Sequence, residues 1–131
     1  AQGIDYNKLH LLLAVLGRHG FNFYQKDVYV NVAGGARVEE PACDLAIACA
    51  IASSTRNIPL RLQTVFLGEI GLTGEIRPVG FVEQRLREAR KLGFKRCIGP
   101  FLEKGEAKKI REIEFVGVRT LTEALREGFK K

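Results

Sequence analysis

Few side chains in this sequence stand where they could do chemistry. Nucleophilic catalysis needs a serine or cysteine with a base in hydrogen-bond reach and donors for the developing oxyanion. Ser53 and Ser54 lie near the end of an apolar helical stretch with no motif around them, and read as local hydrogen-bonding residues. Cys43 falls in the first turn of that stretch, a position from which helix dipoles activate catalytic thiols. Its simpler reading is a small buried thiol. Glu39, Glu40 and Asp44 suit the positive end of the same helix. The run Gly68-x-x-Gly71-x-x-Gly74 is glycine-rich, but no Gly-Lys-Ser/Thr follows it. It leads from strand to turn to strand, not into a helix, so it is a structural turn and not a phosphate loop. Cys43, Cys49 and Cys97 show no C-x-x-C pairing, and His10 and His19 are the two histidines. That set predicts no metal site, and free thiols of a reducing cytoplasm.

What remains is charge. Arg85, Arg87, Arg90, Lys91, Lys95 and Arg96 place six cations within a dozen residues, partly offset by Glu83 and Glu88. One reading is contact with nucleic-acid phosphates. The other is a solvated helix face with ion pairs such as Glu83 with Arg87, each worth tenths of a kcal/mol. Few aromatics accompany the cations, which favours phosphate contact over base stacking. A second set, Lys104, Lys108, Lys109 and Arg111, is interleaved with acids and reads as plain surface. The net charge of +6, from 21 basic and 15 acidic residues, suits an anionic partner without requiring one.

These side chains need elements to hold them. Leucines at helical spacing predict a helix over 5–18, and alternation with β-branched residues predicts a strand over 27–32, broken by Gly34-Gly35. Pro41 opens an alanine-rich helix over 41–55, apolar almost all round and therefore central and buried. A strand is expected over 62–67, a short one at 75–77, and an amphipathic helix with a basic outer face over 82–92, stopped by Gly93. A strand over 94–98, a turn at Gly99-Pro100, a polar helix over 103–111 and a strand over 114–118 follow. Thr120-x-x-Glu123 is a capping box for a last helix ending at Gly128. Strands separated by helices imply a mixed α/β layer with a partly parallel sheet.

The 131 residues suffice for one domain, 1–131, with a real core. A hydrophobic share of 46% with 27% charged excludes disorder and a fibrous architecture. The longest uncharged apolar stretch, 45–55, is too short to span a bilayer, and no leader precedes it. The chain starts at Ala1 and reads as a piece of a larger protein.

Two stretches, VYVNVAGGARVEEPACDL at 28–45 and VFLGEIGLTGEIRPV at 65–79, resemble the Lon-protease-like C-terminal domain of the bacterial DNA-repair RadA (Sms) family. More distantly they are similar to the proteolytic domain of Lon. The resemblance covers nearly the whole chain, and the G-E-I-x-L-x-G-E-I-x-P-V-G run at 68–80 is its most specific part. It implies a Lon proteolytic-domain-like, ribosomal protein S5 domain 2-like α+β fold, a mixed sheet packed with helices, with the first strand of the family before Ala1. Lon-type peptidases use a serine–lysine dyad. On this chain the serine position falls on Ala42 and the lysine position on Glu83. A methyl group cannot attack a carbonyl, and a carboxylate cannot stand in for the lysine. A shift of one residue puts Cys43 at the nucleophile position but brings no lysine into register; Arg85 and Arg87 stay protonated and make poor bases. The resemblance therefore implies a pseudo-peptidase: a non-catalytic platform for DNA, single- or double-stranded, and for assembly of a hexameric ring. Six DNA-binding candidates, Arg85, Arg87, Arg90, Lys91, Lys95 and Arg96, go with it. The parent protein would be a cytoplasmic ATPase using ATP, Mg and Zn through parts this chain lacks, with no cofactor in this domain. Two alternatives stand beside it, a peptidase whose nucleophile has moved to Cys43 and a purely structural oligomerisation module.

Overall fold

A computed structural model describes residues 41–103 and 113–130. The elements expected over 5–18, 27–32 and most of 103–111, together with His10, His19, Lys104, Lys108, Lys109 and Arg111, lie outside those described residues.

A 3-10 turn at Pro41–Cys43 leads into α1 (Asp44–Arg56), as the proline and the alanine-rich run predict. Leu45, Ile47, Ala48, Cys49, Ile51 and Ala52 of α1 are all buried, which confirms the central helix. It ends at Asn57, whose left-handed backbone (φ 53°) returns its N–H to the last-turn carbonyls of Ser53 and Ser54.

Three strands form a parallel sheet in the order β1 (Thr64–Phe66), β4 (Arg96–Pro100), β5 (Glu114–Val118). Thr64 pairs with Arg96, and Arg96 with Glu114, so the three strands start together. Between β1 and β4 a hairpin of β2 (Glu69–Ile70) and β3 (Ile76–Arg77) is followed by α2 (Val82–Lys91). The hairpin turns at 71–74, where Gly74 takes φ 88° and its N–H donates to the Gly71 carbonyl at 3.0 Å. After β5 comes α3 (Leu121–Gly128).

β4 is the middle strand, and every residue in it is buried. Successive side chains point to opposite faces. Ile98 accordingly packs with α1 and α3 in one core cluster, while Cys97 packs with Leu86 and Ala89 of α2 in a second. Gly128 permits the close approach of α3: a Cβ there would meet the Phe66 ring at 2.7 Å.

Two expected elements change. The strand read over 62–67 is confined to Thr64–Phe66, because Gln63 is left-handed (φ 54°) and Leu62 is 80% exposed. Gly99-Pro100 is the end of the central strand and not a turn. Alternate residues of a strand send their N–H groups to opposite neighbours, and Phe101 donates to Val118 of β5. The missing N–H of Pro100 therefore faces the β1 side, where the ladder stops after the Leu67 N–H donates to the Ile98 carbonyl at 2.9 Å, so the proline ends the pairing at the strand's last residue.

Candidate functional site

Helices α1 and α2 each precede a strand of the parallel sheet, and α3 follows one. All three run against the strands, so the sheet has two chemically different ends.

At the carboxyl end lie the start of α1, the start of α2 and the β2–β3 hairpin. Backbone bonds lock the 3-10 turn: Gly68 N–H donates to the Ala42 carbonyl and Leu45 N–H to the Gly68 carbonyl, both at 3.0 Å. Asp44, fully buried, accepts the Ile70 N–H at 3.1 Å, so this side chain anchors the hairpin to α1. Ala42 is buried in the cluster that holds Leu86, Ala89, Val79 and Val82, which brings the start of α1 to the first half of α2. Glu83 is in the first turn of α2, half exposed and paired with Arg87 at 3.3 Å. The two positions assigned to a dyad thus share one end of the sheet.

Little else at this end can act on a substrate. Cys43 is half-buried and packed against the core. The other thiols are poor nucleophiles: burial pushes Cys97 up to about 12 and Cys49 higher still. Arg85 donates its Nε to the Gly80 carbonyl at 2.8 Å, and Arg77 lies 3.5 Å from Glu69 and 3.4 Å from Glu75. Glu75 is held down to about 2, first by the Thr73 hydroxyl at 2.7 Å. Among the described residues the lysines are Lys91, Lys95 and Lys130, in the last turn of α2, just before β4 and just after α3. All three belong to the opposite end, and Lys91 alone is roughly 12 Å along the helix from Glu83 at 1.5 Å per residue. No group of histidine, cysteine, aspartate and glutamate among the described residues could hold a metal ion.

The cations read from the sequence separate. Arg87, Lys91 and Lys95 are exposed, while Arg85 and Arg90 are half-buried. Arg96 must be withdrawn from the surface set. It is 8% exposed, and its guanidinium donates to the Glu127 carbonyl at 2.8 Å and carboxylate at 3.0 Å, with Glu114 at 3.5 Å. As the first residue of a buried strand it ties β4 to the end of α3. Sequence reading also missed Arg56, Arg61, Arg126 and Lys130, exposed cations far apart in the chain and close in the fold. Only the parallel topology groups them. No helix among the described residues is long and apolar enough to cross a membrane.

Residues 8–103 match the family model described as subunit ChlI of Mg-chelatase. The chain is 48% identical over 129 residues to DNA repair protein RadA of Listeria monocytogenes, covering 98% of this chain and 28% of that protein. It is 49% identical over 127 residues to DNA repair protein RadA of Bacillus subtilis, covering 96% and 28%. With DNA repair protein RadA of Haemophilus influenzae it shares 48% over 126 residues, covering 95% and 27%. The chain thus spans a little over a quarter of the length of the curated relatives it matches.

Proposed function

This chain belongs to the family of the Lon-protease-like domain of DNA repair protein RadA, and from that premise we propose that it is a non-catalytic platform that contacts DNA and helps a ring assemble. The observation that carries the reading is the division between the two ends of the sheet. The end where the family's peptidases would work offers a buried alanine, a carboxylate on α2 and, among the described residues, no lysine. A cysteine nucleophile at Cys43 would need a base to take its proton. The described lysines lie elsewhere: Lys91 and Lys95, with Arg87 on the outer face of α2, form an exposed basic surface of the kind that meets phosphates.

The larger parent protein, whose relatives are more than three times as long as this chain, is expected to carry the ATPase with its ATP, Mg and Zn. Support for the ring reading is Phe81 and Leu72, 72% and 62% exposed at the start of α2 and the tip of the hairpin. Leu62 and Leu92 are likewise exposed at the opposite end, and large apolar side chains left in water suit burial against neighbouring copies.

Two assays on the 131-residue chain separate these roles. Incubation with unfolded casein should release no peptides, from wild type or Cys43→Ala alike. Cleavage that disappears in Cys43→Ala would establish the peptidase instead. In fluorescence anisotropy at low salt, wild type should bind a labelled DNA, and Arg87→Ala with Lys91→Ala and Lys95→Ala should bind more weakly. A triple variant that binds as well as wild type would remove α2 from the contact.

A further inference from the structure

We propose that the amino end of the parallel sheet is the main phosphate-tracking surface of this domain, with Arg56, Arg61, Lys95, Arg126 and Lys130 as its contacts to the DNA backbone. The inference rests on the DNA-binding reading above and names the surface that performs it.

The surface is built by backbone bonds between segments distant in sequence. After α1 the chain crosses the end of the sheet: Arg61 N–H donates to the Gly128 carbonyl and Lys130 N–H to the Pro59 carbonyl, both at 2.8 Å. Leu60 and Phe129 form a bridge between the same two segments. On the other side Lys95 N–H donates to the Gln63 carbonyl at 2.9 Å. The 56–64 segment is therefore fastened to the end of α3 on one flank and to the entry of β4 on the other. All five cations are exposed.

An ordinary explanation accounts for some of them. Three helices end here, and Arg56, Arg126 and the Arg90–Lys91 pair stand in last turns, where a cation complements the helix dipole. Arg61, Lys95 and Lys130 occupy no last turn, so capping leaves them unexplained. Among the described residues the acids beside β4 and α3 do not cancel them either. Glu114 and Glu127 are both engaged by the buried Arg96. Three helix termini carry roughly half a negative charge each. Among the described residues, the termini and these two carboxylates set against five exposed cations and Arg96 leave a surplus of about 2.5 positive charges. That surplus is spread over a rigid face, which suits a run of backbone phosphates and not a single small anion.

Two charge-matched variants locate the contact. Arg61→Ala with Arg126→Ala empties the amino end of two exposed cations, and Arg77→Ala with Arg119→Ala removes two exposed cations from the carboxyl end. Binding of duplex DNA is followed across a salt series. The amino-end pair is expected to bind at least ~10-fold more weakly at low salt, with its salt slope reduced by about 2, near 0.9 per phosphate contact. The carboxyl-end pair should stay close to wild type, and Arg61→Lys with Arg126→Lys should retain binding. Equal losses in the two alanine pairs, or none in the amino-end pair, would overturn the assignment while leaving DNA binding intact. Wild type that fails to bind would overturn the assignment and the reading beneath it together.

Discussion

Arg96 shows how far a single residue departs from what its neighbours in sequence suggest. It follows Lys95 and closes a run of cations, and by composition it belongs with them. The structure buries it and gives its guanidinium to a carbonyl and two carboxylates. Removing one partner of a buried ion pair is costly, but Glu114 and Glu127 keep 65% and 40% of their side chains in water and can rehydrate. Arg96→Met should therefore cost about 2 kcal/mol of stability, below the full figure for a buried pair, read from urea unfolding. Glu75 is a second case, and its effect depends on pH. Its folded value, about 2, lies below the ordinary 4.5, so it stabilises the fold above that ordinary value and loses the contribution as pH falls from about 4.5 to 2. Glutamine does not titrate. The urea midpoint of Glu75→Gln should fall less than that of wild type over this window, and parallel curves would contradict the assignment.

At the scale of elements, the three described helices were legible and the described strands only partly so. Thr120-x-x-Glu123 announces the start of α3, and the Thr120 hydroxyl does accept the Glu123 N–H at 3.2 Å. The return bond is displaced by one residue: the Glu123 carboxylate meets the Arg119 N–H at 3.3 Å. Thr120→Ala should lower stability by about 1 kcal/mol, measured by chemical denaturation. The amphipathic pattern and Gly93 place α2, and Gly93 does take the left-handed backbone, φ 97°. Strands carry weaker signals. Gly99 and Pro100 look like a turn because both residues interrupt ladders, yet a strand end beyond its neighbour's register tolerates a proline. The run at 62–67 likewise says nothing of the backbone at Gln63, whose φ of 54° delays the strand to Thr64.

At the scale of the whole molecule, the two ends of the sheet divide what sequence could and could not reveal. The family resemblance assigns the dyad positions to Ala42, inside one of its motif stretches, and to Glu83, just after the other, and α1 and α2 bring those two residues to the same end. The basic surface was legible only in its local part, on and just after α2. Arg56, Arg61, Arg126 and Lys130 are scattered over 75 positions, and no periodicity links them. They meet because helices antiparallel to parallel strands all end on the same side. Topology organises this domain's exposed cations, and it puts the proposed phosphate contact at the end of the sheet opposite Ala42 and Glu83. The most direct test is the salt dependence of duplex DNA binding by the wild-type chain. The expected logarithmic slope is about −3 to −5, matching three to five neutralised phosphates. A folded chain that binds no DNA at low salt, or binds with a slope near zero, would contradict it.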